Sequence, residues 1–243
     1  MPPTKRRTLG EIRYDKRPNL TTIRKWNKQF ATTMLGSVWQ GFDLLVKEAL
    51  QYDVTKAEDD LERTITEWLD PRIRRFVDEY APYYLQHNTG ERETRNPSPA
   101  MPPQYDLAFV FWENEEMKWP LEAKVLLNDS MASITDYVRC LKTKVLACKY
   151  APFSSEAAML GYLFSGSPNK VYSNIAAKVP CTLSHHPHFG GRHHKISNHL
   201  RAVPSHKKGI YPARFKCHHL MLGIGNNTCN PSEQPQEAGW LFG

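Results

Sequence analysis

The sequence predicts an α/β fold, because strand-like apolar runs and segments with helical periodicity follow one another along the chain. Two apolar runs, YDLAFVFW and WPLEAKVLL, fall within residues 105 to 127 and are separated by the polar stretch ENEEMK. That spacing is typical of a β-hairpin. Helix-like segments lie on both sides of the hairpin, and a third apolar run follows the second of them. The predicted order of elements is therefore α-β-β-α-β.

The first predicted helix lies within KAEDDLERTITEWLDPRIRRFVD, residues 56 to 78. Its expected buried face consists of four apolar residues at helical spacing: Leu61, Ile65, Trp68 and Leu69. Pro71 is expected to break or kink this helix, since proline lacks the backbone N–H that continues the hydrogen-bond ladder.

The second predicted helix lies within SITDYVRCLKTKVLACKY, residues 133 to 150. One face of it is apolar and is expected to pack on the sheet: Ile134, Tyr137, Val138, Leu141, Val145 and Leu146. The same packing accounts most simply for Cys140 and Cys148. A third core strand is predicted around residues 159 to 164, and a last strand in the apolar stretch FKCHHLMLGI.

Charged residues interrupt the second run of the hairpin. Side chains two apart in a strand share a face, so Glu122 and Lys124 are expected to project together. The hairpin would fold Asp106 back toward them, so that two carboxylates and one ammonium converge. A second E-x-K, Glu116 to Lys118, falls in the predicted turn, where charges are simply solvated.

This trio suits metal-dependent phosphate chemistry. Mg²⁺ prefers oxygen ligands and is commonly held by one or two carboxylates together with substrate phosphate oxygens. Asp106 and Glu122 would supply those ligands, and Lys124 would orient the attacking water or neutralise charge on the phosphate. The alternative is a salt-bridged sheet edge without catalysis, although charged residues are rarely placed in a buried strand unless they are paired or functional.

Asp106 followed by Glu122-Ala123-Lys124 on a predicted hairpin resembles the PD-(D/E)xK nuclease superfamily, over roughly residues 55 to 222. The superfamily usually has proline before the aspartate, where this chain has Tyr105. The resemblance implies a restriction-endonuclease-like core, with a central mixed β-sheet flanked by helices. It also implies a glutamate from the first helix beside the metal, for which Glu62 is the first choice and Glu58 the second.

The resemblance further implies an activity and a setting. Mg²⁺, with Mn²⁺ as a substitute, would be bound by Asp106 and Glu122, and the catalytic group would comprise Asp106, Glu122, Lys124 and Glu62. The expected function is DNA cleavage in a bacterial restriction or antiphage defence system, by a homodimer or a subunit of a defence complex. The alternatives are a nucleic-acid-binding or scaffolding subunit with a non-cleaving nuclease-like fold, and a nuclease directed at RNA.

Cations are concentrated toward both ends of the chain. Residues 1 to 28 contain nine Lys and Arg against two acidic residues, whereas residues 157 to 232 contain nine and no acidic residue. Residues 29 to 156 carry 14 Lys and Arg against 21 acidic residues. Basic segments around an acidic centre fit a polyanionic partner. Residues 1 to 30 are therefore expected to form a basic arm that contacts nucleic acid through Arg6 and Arg7, or else a merely solubilising one.

The remaining organisation is a single nuclease domain over residues 31 to 222 and a flexible tail over residues 223 to 243. With 243 residues, 40% of them hydrophobic, the chain is long enough to bury a full core. It lacks an apolar stretch that would span a bilayer, and it begins with the polar MPPTKRRTLG, so we expect a cytoplasmic protein without a membrane partner. Its five cysteines have no regular spacing and predict no disulfide framework.

Nine of the ten histidines lie between residues 185 and 219. The polar, glycine-containing sequence HHPHFGGRHHKISNHLR predicts a loop within a His-rich segment over residues 181 to 219. Such a loop would contact nucleic acid through four residues: Arg192, His193, His194 and Lys195. Zinc is the less favoured interpretation, and its ligands would be Cys181, Cys217 and two of the histidines.

Overall fold

The computed structural model describes residues 18–48, 58–94, 101–127 and 130–224, without the side chains of residues 27–29, 58 and 59. Arg6, Arg7 and most of the predicted tail therefore lie outside the described residues. No helix in the described part of the chain is long and apolar enough to cross a membrane.

The first described helix, α1 (Leu20–Gln29), begins after Asn19, whose Oδ1 accepts a hydrogen bond from the backbone N–H of Thr22 at 2.8 Å. Ile23 and Trp26 on this helix are buried in the core, and the Trp26 indole donates to the Ser154 hydroxyl at 2.9 Å. The predicted boundary of the basic arm at residue 30 is therefore wrong. Helix α1 packs in the core and belongs to the folded domain.

Two longer helices follow, α2 (Ala31–Glu48) and α3 (Glu58–Arg74). They pack closely at Gly41, where an added Cβ would lie 2.7 Å from the backbone nitrogen of Ile73. Pro71 lies inside α3, which continues to Arg74, so the predicted break is wrong and the alternative, a kink, stays a prediction. The core face of α3 is formed by Leu61, Ile65, Leu69 and Ile73. Trp68 was expected on that face but is 40% exposed.

The sheet contains seven strands within the described ranges: β1 (Tyr83–Gly90), β2 (Gln104–Phe111), β3 (Lys118–Leu126), β4 (Glu156–Leu163), β5 (Ser184–His185), β6 (His194–Leu200) and β7 (Arg214–Gly223). Their spatial order is β1-β2-β3-β4-β7-β6-β5. Strands β3, β4 and β7 are parallel neighbours, and the other neighbours pair antiparallel. The predicted α/β fold with a mixed sheet is confirmed, as are the β2–β3 hairpin and the predicted strands β4 and β7.

Three strands were not predicted. Strand β1 pairs with β2 at one edge of the sheet, and β5 and β6 extend the other edge. The prediction of a loop over residues 181 to 219 is therefore wrong, because β5, β6 and part of β7 lie in it. Strand β6, HKISNHL, has only two apolar residues, and its buried side chains are those of His194 and Ser197. Its sequence consequently lacks the apolar run that marked the central strands.

Helices cover both faces of the sheet. Helices α1, α2 and α3 contribute to one hydrophobic cluster, with alternate β2 residues such as Leu107 and Phe109. The other cluster includes Ala108 of β2 and residues of α4 (Met131–Cys140) and α5 (Pro168–Lys178). Helix α4 continues as a π-helix (Leu141–Val145), so the second predicted helix is confirmed with a change of winding at its end.

Lys118 does not lie in the hairpin turn, as predicted for the second E-x-K. It is the first residue of β3 and is only 6% exposed. Its partner in that motif, Glu116, lies in the turn and is partly exposed.

The difference between Ile65 and Trp68 on α3 is testable. Replacing the fully buried Ile65 with alanine removes apolar contacts and leaves a cavity, so we expect Ile65→Ala to lower the free energy of unfolding by about 2–5 kcal/mol. Trp68→Ala is the matched control on the same helix and should cost less than half as much. Urea unfolding followed by circular dichroism measures both values, and equal losses would contradict the described face of α3.

Candidate active site

Asp106 lies where the β2–β3 ladder ends. The last pair in that ladder joins Leu107 to Leu121. Next to it, Asp106 accepts a hydrogen bond through Oδ2 from the backbone N–H of Ala123, at 2.7 Å. The Asp106 carboxylate therefore accepts a hydrogen bond from a backbone N–H of β3 that lies beyond the end of the β2–β3 ladder. This contact fixes Asp106 beside the E-x-K segment.

Glu122 and Lys124 lie on β3, third in the sheet between β2 and β4. The Lys124 ammonium is 4.0 Å from Glu122 Oε1 and donates a hydrogen bond to Glu62 Oε1 at 2.7 Å. Glu62 comes from α3, so the first choice for the helix glutamate lies beside the E-x-K lysine. The side chain of Glu58, the second choice, lies outside the described ones. All four predicted catalytic residues thus converge.

Two further side chains reach Glu122 from the helix packed on this face. Lys144, in the π-helix, donates to Glu122 Oε1 at 2.6 Å, and the Cys140 thiol donates to the same oxygen at 3.3 Å. Sequence reasoning missed Lys144 and treated Cys140 as packing alone. Their i, i+4 spacing on a helix next to the hairpin was the available signal, because residues four apart lie on the same helix face.

Burial dominates the electrostatics of Glu122. The residue is 3% exposed, and its Oε2 has no hydrogen-bond partner among the described groups. Burial, followed by the nearby Asp106 charge, raises the pKa of Glu122 to about 7, although Lys144 and Lys124 oppose the rise. A carboxyl with that pKa exchanges its proton near neutral pH.

The pair beside it is also perturbed. Burial raises the pKa of Glu62, and the Lys124 charge and hydrogen bond only partly offset the rise. Burial by itself would lower the pKa of Lys124, but the charges of Glu62 and Glu122 outweigh it, so that the pKa rises. Lys124 is therefore a firmly protonated donor.

A cavity of about 410 Å³ opens beside this group. Its lining includes three cations, and the full set is Lys124, Asp136, Arg139, Cys140, Thr143 and Lys144. A cavity of this size is within the range of small-molecule sites, and its cationic wall favours an anionic group.

The residues predicted to contact nucleic acid are spread over different environments. His194 is fully buried, so it does not lie on a phosphate-contacting loop as predicted. Arg192 forms an ion pair with Asp43, with Nη1 2.7 Å from Oδ1, and its guanidinium lies 5.2 Å from the Trp39 ring centroid. Lys195 is partly buried, and its ammonium is 4.7 Å from the Tyr172 ring centroid. His193 is exposed.

The less favoured zinc site, with Cys181, Cys217 and two histidines as ligands, does not form among the described residues. Cys217 and His218 are neighbours on β7 and therefore point to opposite faces of the sheet. Both Cys217 and Cys181 pack with the α4–α5 cluster, and the Cys181 sulfur is 3.8 Å from Nε2 of His199. A different group, His186, His194 and His218, brings one ligand nitrogen from each residue within 4.8 Å of the others. In the described part of the chain, the carboxylates of Glu62, Asp106 and Glu122 do not form such a group.

Comparison with known proteins identifies no family for this chain. A scan against protein-family models, a search of curated proteins and a search of solved structures each found no match.

The raised pKa of Glu122 predicts a pH dependence of stability. Between pH 4.5 and about 7 the unfolded carboxyl has lost its proton while the folded one retains it. The unfolded state therefore binds fewer protons, and stability falls as pH rises across this window. We expect the free energy of unfolding of the wild type, minus that of Glu122→Gln, to fall by about 3 kcal/mol over the window.

Urea unfolding of both proteins at intervals from pH 4.5 to 8 measures this difference. Glutamine resembles the protonated acid in shape but does not titrate, so other titrating groups contribute to both curves and largely cancel. Two parallel curves would contradict the raised pKa of Glu122.

Proposed function

We propose that this protein is a metal-dependent endonuclease that hydrolyses DNA phosphodiester bonds. Its core would be restriction-endonuclease-like, and its setting would be a bacterial restriction or antiphage defence system, as the resemblance implies. The observation that carries the proposal is the convergence of Glu62, Asp106, Glu122 and Lys124 beside one cavity. These residues come from α3, β2 and β3, so separate elements supply the group that the resemblance names.

The donor atoms fit Mg²⁺. Asp106 and Glu122 offer carboxylate oxygens, which hard divalent cations prefer. Glu122 Oε2 is buried without a hydrogen-bond partner among the described groups, so a cation would satisfy it. Glu122 Oε1 accepts from Lys144 and Cys140. A bound Mg²⁺ would lower the pKa of a coordinated water and stabilise negative charge on the phosphate.

The protein's own groups would orient the remaining reactants. Glu62 accepts a hydrogen bond from Lys124, which fixes the ammonium before a substrate binds. From that position Lys124 would orient the attacking water or neutralise charge on the phosphate oxygens. Arg139 and Lys144 line the same cavity and would attract the phosphodiester. Attack of the water oxygen on phosphorus would then break the bond to the leaving sugar oxygen.

One observation favours a second candidate, a nucleic-acid-binding subunit that does not cleave. The pairs Lys144–Glu122 and Lys124–Glu62, at 2.6 Å and 2.7 Å, neutralise the buried Glu122 and the partly buried Glu62 without a metal. A salt-bridged pocket of this kind would be stable and inert. Cleavage assays separate the two candidates directly.

We expect purified protein to cleave DNA in Mg²⁺ or Mn²⁺ but not in EDTA. Asp106→Asn, Glu122→Gln and Lys124→Met should each lower the rate by about 100-fold or more, because each removes a ligand or a group that acts on the attacking water. The assay incubates the protein with plasmid, linear and single-stranded DNA and with RNA. If the protein cleaves RNA but not DNA, RNA replaces DNA as the proposed substrate.

Glu115→Ala is the control, because this exposed residue of the hairpin turn lies outside the proposed group. It should cleave at the wild-type rate. Circular dichroism checks that the inactive variants remain folded. Metal-dependent cleavage that survives both Glu122→Gln and Lys124→Met would overturn the assignment, and binding without cleavage in every condition would favour the second candidate.

The basic N-terminal residues are tested by deletion. Removing residues 1 to 17 removes six Lys and Arg and leaves α1 intact, since α1 begins at Leu20. If these cations neutralise phosphates, the slope of log affinity against log salt should fall in magnitude by about 0.9 for each phosphate that the deletion leaves without a cation. DNA binding in EDTA measures the slope. Deletion of residues 225 to 243, which contain no Lys or Arg, is the control and should leave it unchanged.

A further inference from the structure

Three buried histidines form a cluster away from the candidate active site. His186 follows β5, His194 begins β6, and His218 lies within β7. They are 5%, 0% and 1% exposed, and one ring nitrogen of each lies within 4.8 Å of the others. His194 and His218 share the sheet face that α2 covers, because His218 pairs with Ile196 and His194 is two residues from it. The sheet itself therefore sets this spacing.

The spacing of two of the ligand nitrogens fits a tetrahedral ion. His194 Nε2 and His218 Nδ1 are 3.2 Å apart. Zinc–nitrogen bonds of about 2.0–2.1 Å in a tetrahedron place neighbouring ligand nitrogens about 3.3 Å apart. The observed separation therefore matches two ligands of one ion, and it is also at the long end of the hydrogen-bond range.

An outer carboxylate supports one of the rings. Glu156 Oε2 is 3.0 Å from His218 Nε2, the nitrogen that faces away from the cluster, and Glu156 Oε1 accepts from Lys216 at 2.8 Å. Histidine ligands of metals commonly donate their second N–H to such a carboxylate, which fixes the ring and its tautomer.

We propose that His186, His194 and His218 bind one Zn²⁺ ion per chain, with Glu156 as the outer carboxylate that orients His218. Imidazole nitrogen suits zinc and other late first-row ions, whereas Mg²⁺ and Ca²⁺ prefer oxygen. The site therefore differs in chemistry from the carboxylate group around Glu122. Zinc would tie the turn after β5 to β6 and β7, and three protein ligands leave one coordination position.

Without zinc, the same rings form a hydrogen-bonded chain. The Trp39 indole N–H, which is only a donor, lies 3.3 Å from His194 Nδ1, so the neutral His194 ring carries its proton on Nε2 and donates to His218 Nδ1. His218 then donates through Nε2 to Glu156. Zinc on His194 Nε2 would move that proton to Nδ1 and end the bond from Trp39. Trp39 therefore competes with the metal for His194.

The test uses the full chain, purified without added metal, then stripped with a chelator and titrated with Zn²⁺ or Co²⁺. We expect about one zinc per chain before stripping, a rise in melting temperature when Zn²⁺ is restored, and the visible absorption of tetrahedral Co²⁺. His186→Ala should weaken zinc binding by about 100-fold or more, since it removes a ligand from the turn after β5. His185→Ala, an exposed neighbour, is the matched control and should bind as the wild type does.

Two more variants keep the outcome decisive. Cys217→Ser should retain wild-type affinity, because Cys217 lies on the opposite face of the sheet. Trp39→Phe should bind zinc at least as tightly as the wild type, since it removes the competing donor. Absence of stoichiometric zinc together with no tetrahedral Co²⁺ spectrum would overturn the proposal and leave a hydrogen-bonded histidine core. The ligand assignment would be overturned if His185→Ala lowered zinc affinity as much as His186→Ala, or if Cys217→Ser lowered it at all.

Discussion

The buried carboxylate of Glu122 is the constraint on which the candidate active site depends. A charge with 3% exposure loses most of its hydration, and an uncompensated buried ion costs several kcal/mol. The protein offsets this loss with Lys144 and Cys140 on one oxygen and with Lys124 at 4.0 Å. The offset is incomplete, because the pKa of Glu122 remains near 7. The fold therefore holds an acid with a pKa near neutral pH on the third strand of the sheet.

The π-helix that follows α4 supplies a partner for this carboxylate. Leu141 and Val145 are both buried against the sheet, while Lys144 between them reaches Glu122. The backbone N–H of Leu146 donates to the carbonyl of Leu141, the i to i+5 bond of a π-helix. The wider turn adjusts the direction of these side chains without ending the helix. The same short segment thus packs on the sheet and pairs with Glu122.

Strand alternation divides the histidines into two chemical environments. His218 faces Trp119 and His194, whereas His219, one residue later, hydrogen-bonds to the hydroxyls of Tyr137 and Ser197 at 2.9 Å and 2.7 Å. Strand β4 connects this region to the candidate active site. Its first residue, Glu156, is hydrogen-bonded to His218, and its Met159 pairs with Glu122 of β3. An oxygen-rich site and a nitrogen-rich site therefore share one sheet.

The sequence by itself determined the α/β class, the β2–β3 hairpin and the convergence of Asp106, Glu122 and Lys124, because local periodicity decides which side chains share a face. It even indicated Glu62, although only by resemblance. Tertiary structure alone decided the partners of Glu122 and the arrangement of the histidines. Lys144 is 22 positions from Glu122, and His194 is 24 from His218. Such contacts depend on how strands and helices stack, and a polar strand such as β6 has too weak an apolar pattern to reveal its place in the sheet.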